Sequence, residues 1–120
     1  MRTIIGPDVD LSKTDMSGVD LQAAYLTDAD LSGSTFIGTN LCEANLSGAN
    51  LQQANLLRAN LVNADLRWAN LENTNLTFAD LTGANLSKAR LANTNMTGIK
   101  FDSQTVFPID FDFKKVLLQL

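Results

Sequence analysis

Ala44-Asn45-Leu46-Ser47-Gly48-Ala49-Asn50-Leu51-Gln52-Gln53-Ala54-Asn55-Leu56-Leu57-Arg58 states one five-residue phrase three times: alanine, asparagine, leucine and two variable residues. Extended outward, that register runs from Val9 to Ser103 as nineteen successive pentapeptides without insertion or deletion. The third residue of each phrase, its centre, is always large and apolar. The centres are Leu11, Met16, Leu21, Leu26, Leu31, Phe36, Leu41, Leu46, Leu51, Leu56, Leu61, Leu66, Leu71, Leu76, Leu81, Leu86, Leu91, Met96 and Phe101. Two residues earlier stands alanine in eleven phrases, and otherwise Val9, Thr14, Val19, Ser34, Thr39, Thr74, Thr94 or Ile99. Immediately before the centre comes asparagine nine times and aspartate six, leaving Tyr25, Thr35, Arg90 and Lys100 as exceptions.

A period of five fits neither an α-helix nor a long flat strand, because both would rotate the centres steadily off any one face. Two inward residues separated by two are what a short extended segment presents before the chain turns. Each pentapeptide is therefore one side of a coil. Four sides would bring the chain back above itself every twenty residues, with backbone groups pairing between coils about 4.8 Å apart and the centres stacked inside. Six of the seven glycines (Gly18, Gly33, Gly38, Gly48, Gly83 and Gly98) fall two residues after a centre, where Asp28, Asn63, Asn73 and Asn93 also stand. These residue types best tolerate positive φ, which places the corners there. Lys13, Glu43, Arg58, Trp68 and Phe78 share the position, so the expectation is two coexisting turn classes, one of them with negative φ.

This pattern resembles the pentapeptide repeat family, whose motif is written A(D/N)LXX, and the resemblance covers residues 9–103. It implies an all-β fold, a right-handed quadrilateral β-helix of about five coils, and no enzymatic activity. Residues 1–8 are expected to form an N-terminal cap, with Ile4 and Ile5 covering the first coil, and residues 104–120 a C-terminal cap. In that tail Asp110 or Asp112 is placed to begin a short helix carrying Lys114 to Gln119. The tail is read as a lid on a monomer, with a homodimer through the same segment, as in the family's gyrase-directed members, as the alternative.

The rest of the chain bounds the chemistry. One cysteine, Cys42, and no histidine exclude an internal disulfide, a Cys/His zinc site and a histidine general base. No phosphate-binding glycine loop or serine triad occurs. The Asx residues before each centre are read as turn-forming acceptors rather than as calcium ligands, so no metal and no cofactor are expected. The net charge is −4, with 13 acidic and 9 basic residues. Residues 1–30 hold six acidic and two basic groups, residues 31–120 seven of each. Nucleic-acid binding is disfavoured by that sign. Mimicry of duplex DNA toward a gyrase, the alternative function, would need negative charge along the whole length.

The outward residues with most to offer a protein partner are Ile37, Leu57, Arg58 and Phe78, which the twenty-residue spacing stacks on adjacent columns, and Trp68, with Lys88 one coil on. The expectation is a non-catalytic interaction module for an unidentified protein. No segment approaches the ~20 apolar residues that span a bilayer, and no secretory signal is visible, so a cytoplasmic location is expected.

Overall fold

The computed structural model describes residues 6–114. Isolated parallel bridges join the residue before each centre to its equivalent twenty residues on, from Asp10 with Asp30 to Asp80 with Lys100. Twenty residues therefore make one coil of four sides. Side 1 carries Leu11, Leu31, Leu51, Leu71 and Leu91. Side 2 carries Met16, Phe36, Leu56, Leu76 and Met96, and side 3 carries Leu21, Leu41, Leu61, Leu81 and Phe101. Side 4 carries Leu26, Leu46, Leu66 and Leu86. Centres and the small residues two before them fill the interior, where Phe36 and the leucines from Leu21 to Leu86 are at most 1% exposed. Leu11 and Met16 at one end, and Leu91 and Phe101 at the other, are only partly buried, because a terminal coil is covered from one side alone.

The repeat is explained by where each N–H goes. The centre donates to the carbonyl before the next centre in its column, as Leu41 does to Asn60 at 2.7 Å, and the residue before a centre donates back one coil, as Asn60 does to Thr39 at 2.9 Å. The first corner residue donates to the Asx oxygen two positions earlier, as Val62 does to Asn60 Oδ1 at 3.0 Å. The second donates one coil on, as Arg58 does to Thr77 at 2.9 Å, and the next phrase opens with a turn bond, as Ala59 N–H gives to Leu56 at 3.0 Å. All five donors are thus satisfied where asparagine or aspartate stands before the centre, since its side-chain oxygen makes the third of these bonds possible. Where threonine or serine replaces the inner alanine, its hydroxyl reaches a carbonyl: Thr39 donates to Met16 at 2.8 Å and Thr74 to Leu51 at 2.7 Å.

The corners depart from expectation. Every second corner residue from Asp8 to Gly98 has positive φ, between 55° and 71°, including Lys13, Glu43, Arg58, Trp68 and Phe78. One turn class serves throughout, with the type II pattern of positive φ before the residue that closes the turn bond. The cause is the stack. The second corner N–H bonds to the coil above, so a corner with a different twist would break a ladder shared with its neighbours, and side chains accept a strain of about 1–2 kcal/mol instead. Glycine has a further use at Gly48 and Gly98. A Cβ would stand 2.0 Å from the Asp28 carboxylate at the first and 2.5 Å from the Phe78 ring at the second, so these glycines make room for the side chain one coil earlier to lean over them.

The strict register ends earlier than the sequence suggests. Asn85 pairs with Val106 rather than residue 105, so one extra residue enters the last coil after Lys100. Asp102 organises it, accepting from the N–H groups of Gly83, Gln104 and Thr105 at 3.0–3.2 Å. Partial desolvation raises its pKa, but these donors and the Thr105 hydroxyl outweigh that and hold it below the usual carboxylate value. Coil pairing consequently runs into the segment expected as cap, to Val106, and Phe107 becomes the last centre of side 4. Phe107 then meets Phe101 edge-on at 5.5 Å, stacks on Phe111 at 4.7 Å and meets Phe113 at 5.2 Å, an aromatic cluster beside the last coil. Lys114 N–H donates to Asp112 Oδ1 at 3.0 Å, a helix N-cap bond. Ile4 and Ile5, and the tail from Lys115 onward, lie outside the described residues. No helix among the described residues is long and apolar enough to cross a membrane.

Candidate interaction surfaces

Because each corner position recurs every twenty residues, the exterior is a set of vertical columns, and function has to be sought column by column. The corner after side 2 holds Ile37, Leu57 and Arg58, and Phe78. The Arg58 guanidinium carbon lies 5.0 Å over the Phe78 ring, and that ring rests above Gly98. Phe78 is 51% and Ile37 38% exposed. Leu57 is half-buried and Arg58 exposed. Arg58 forms no ion pair with any described carboxylate. This is an apolar ridge with one free cation, its ring held between a glycine and a guanidinium.

Trp68 belongs elsewhere. It projects from the diagonally opposite corner, after side 4, 66% exposed, with Lys88 Nζ 5.9 Å over its ring. The structure therefore joins Ile37, Leu57, Arg58 and Phe78 into one surface and separates Trp68 from it. Trp68 and Phe78 are both bulky residues at positive φ (64° and 58°).

A further outward feature is Tyr25, 46% exposed, in a position almost always filled by Asx. Its side chain offers no acceptor to Thr27 N–H, and the buried Thr27 hydroxyl has no hydrogen-bond partner among the described residues. Departure from the Asx pattern is the sequence signal that marks such sites.

Among the described residues several ionisable groups are tied into structural contacts. Burial, followed by the nearby Glu43 and Asp80 charges, pushes the Cys42 thiol up, away from the nucleophilic thiolate. Asp65 is held below the usual carboxylate range by Arg67, which donates to it at 2.9 and 2.7 Å and outweighs partial desolvation. Among the described residues no cluster of histidine, cysteine, aspartate or glutamate is arranged to hold a metal ion. An open cleft of about 740 Å³ between the last coil and the tail is lined by apolar residues such as Leu91, Phe107, Ile109 and Phe111, with exposed Lys88, Asp110 and Asp112 among the others.

Four-sided coils of twenty residues with leucine stacks define the quadrilateral β-helix class of solenoid. The family model for pentapeptide repeats matches residues 24–61 and 59–98, in eight copies. Among solved structures, the chain is 32% identical to Rfr23, a pentapeptide repeat protein from the cyanobacterium Cyanothece 51142, with a TM-score of 0.58 over 84% of this chain and 86% of that one. It is 33% identical to HetL, a pentapeptide repeat protein involved in heterocyst differentiation regulation from Nostoc sp. strain PCC 7120, with a TM-score of 0.64 over 82% of this chain. The match spans 45% of HetL's length. A second Nostoc pentapeptide repeat protein is 33% identical over 88% of this chain and 79% of that one, with a TM-score of 0.50. No curated protein sequence matches. The chain belongs to the pentapeptide repeat family, and its coil is the right-handed quadrilateral β-helix of that family.

Proposed function

We propose that this pentapeptide repeat protein is a non-catalytic module that binds a protein partner through the ridge of Ile37, Leu57, Arg58 and Phe78. The observation that carries the reading is the Arg58 and Phe78 pair. Two large side chains occupy corners where glycine or asparagine would be unstrained, remain exposed, and pack against each other, the composition of an interface anchor. HetL, a pentapeptide repeat protein at 33% identity, is involved in heterocyst differentiation regulation. The alternative, a DNA-mimicking effector of gyrase, has the charge distribution against it, since residues 31–120 carry as many basic as acidic groups.

Affinity capture from native extract with the wild-type chain and with Phe78→Asn and Arg58→Asn tests the reading. Asparagine keeps the corner geometry while removing the ring or the guanidinium. A partner retained by wild type and lost with both variants is expected; identical capture by all three would defeat the ridge. A supercoiling assay with purified protein addresses the alternative, which requires inhibition or drug protection of gyrase.

A further inference from the structure

The corner after side 4 and the adjoining side 1 carry a charge order that reverses along the rod. Up that corner, one residue per coil, stand Asp8, Asp28, Gly48, Trp68 and Lys88. On side 1 the outward residues before the centres begin with Asp10 and end with Arg90, and Asn50 is the middle one. In both columns the acidic groups occupy the first coils, the basic groups the last, and a small or neutral residue the third. We infer that a second copy of this chain docks here antiparallel, with a two-fold axis at the third coil.

That axis sets Asp8 opposite the partner copy's Lys88 and Asp10 opposite its Arg90, each pair occurring twice, the reciprocity a two-fold interface requires. It also sets Trp68 opposite the other copy's Asp28. The Trp68 indole N–H has no acceptor among the described residues, and the Asp28 carboxylate, leaning across Gly48, offers one. A parallel arrangement would instead set acid against acid and base against base. The observed order thus selects the antiparallel pairing. Asp8, Asp10, Asp28, Trp68, Lys88 and Arg90 are all exposed. Arg90 already pairs with Glu72 at 2.7 Å, so Asp10 would join a network rather than capture a bare charge.

The area suffices for a reversible dimer. A side of five residues, at most about 3.3 Å each, and five coils tall, at about 4.8 Å per coil, presents roughly 400 Å² per copy, the range of weak and reversible contacts rather than of stable dimers. Such pairing rests on solvent-accessible charges and weakens as salt is added. It departs from the monomer expected of the sequence and from a dimer through the tail. It uses a corner diagonal to the proposed partner ridge, so Phe78→Asn leaves it intact and the two readings fail separately.

Sedimentation equilibrium on the full chain tests it. The wild type should be a dimer at low salt, and Lys88→Asp or Asp8→Lys should each weaken association by about tenfold or more. Combining the two substitutions should restore it to within about threefold, because the swapped pair is again complementary. Far-UV circular dichroism should be unchanged, these side chains being exposed. In a Cys42→Ser background, Asn50→Cys should cross-link to its own copy under mild oxidation, while Asn60→Cys on side 3 should not. A wild type that stays monomeric at every concentration overturns the proposal. So does a dimer indifferent to Lys88→Asp, a double variant that fails to recover, or cross-linking through position 60 instead of 50.

Discussion

Replacing Phe36 by alanine is the most direct challenge to the core. Phe36 is fully buried on side 2 between Met16 and Leu56, beside the small Ser34, whose hydroxyl is committed to the Leu11 carbonyl at 2.6 Å. A buried phenylalanine removes on the order of 150–250 Å² from water, worth about 4–6 kcal/mol at ~25 cal/mol/Å². Large-to-small substitutions of this kind cost about 3–5 kcal/mol, with the spread set by how far the cavity collapses. Collapse is limited here because each coil is pinned to its neighbours by backbone bonds, which places Phe36→Ala toward the upper end. Phe36→Leu, which restores the family residue, should cost about 1–1.5 kcal/mol. Urea titration followed by circular dichroism measures both, as a lowered midpoint with unchanged slope. A loss below about 1 kcal/mol for alanine would refute the inward column, since no buried aromatic is removed so cheaply.

Other outcomes follow from the backbone accounting. Asn60→Ala, which strips the acceptor from Val62 N–H, should cost about 1 kcal/mol where Asn60→Asp costs little; conversely Tyr25→Asn, by giving Thr27 N–H an acceptor, should raise the urea midpoint. Gly38→Ala meets open space at φ 65° and should cost only the conformational strain, about 1 kcal/mol, whereas Gly98→Ala should cost visibly more because its Cβ collides with Phe78; equal losses would disprove the leaning ring. Acid should destabilise the fold. Asp10 and Asp15 are depressed by the N–H and hydroxyl groups of Ser12 and Ser17, Asp65 by Arg67, and Asp102 by its N–H donors against desolvation. A depressed folded pKa means stability that is present above the unfolded value of about 3.9 and lost as pH falls through the folded one, so melting temperature should hold near neutrality and drop below about pH 4. A melting temperature unchanged down to pH 2 would contradict it.

Much of this was legible in the sequence because a five-residue period fixes side, level and direction at once. The Lys88 stack on Trp68 and the meeting of Arg58 with Phe78 both follow from a spacing of twenty. The uniform corners were not legible. Residue preference is a local property, and Lys13 or Phe78 argues locally against positive φ; what overrules it is the hydrogen bond to the next coil, visible only once coils are stacked. The extra residue after Lys100 was hidden for a different reason. Phe101 continues the centre pattern, and the interruption comes from Asp102 gathering three N–H groups, among them one from Gly83 in the preceding coil. Trp68 could be assigned to a side from the repeat alone, but its distance from the Phe78 ridge acquires meaning only when opposite corners are seen as separate surfaces.

The fixed twenty-residue turn ties the outer pattern to the counting of the inner one. Removing one phrase, residues 59–63 for example, leaves every remaining leucine in a leucine place, and the core scarcely registers the loss. The exterior would register it everywhere downstream: Phe78 moves a quarter-turn away from Arg58, and Trp68 leaves the edge that carries Asp8 and Asp28. Removing or adding twenty residues changes only the height at which such groups meet. Lineages of this architecture can therefore shorten or lengthen by fives at little cost to folding, while a binding face survives only edits made in whole coils.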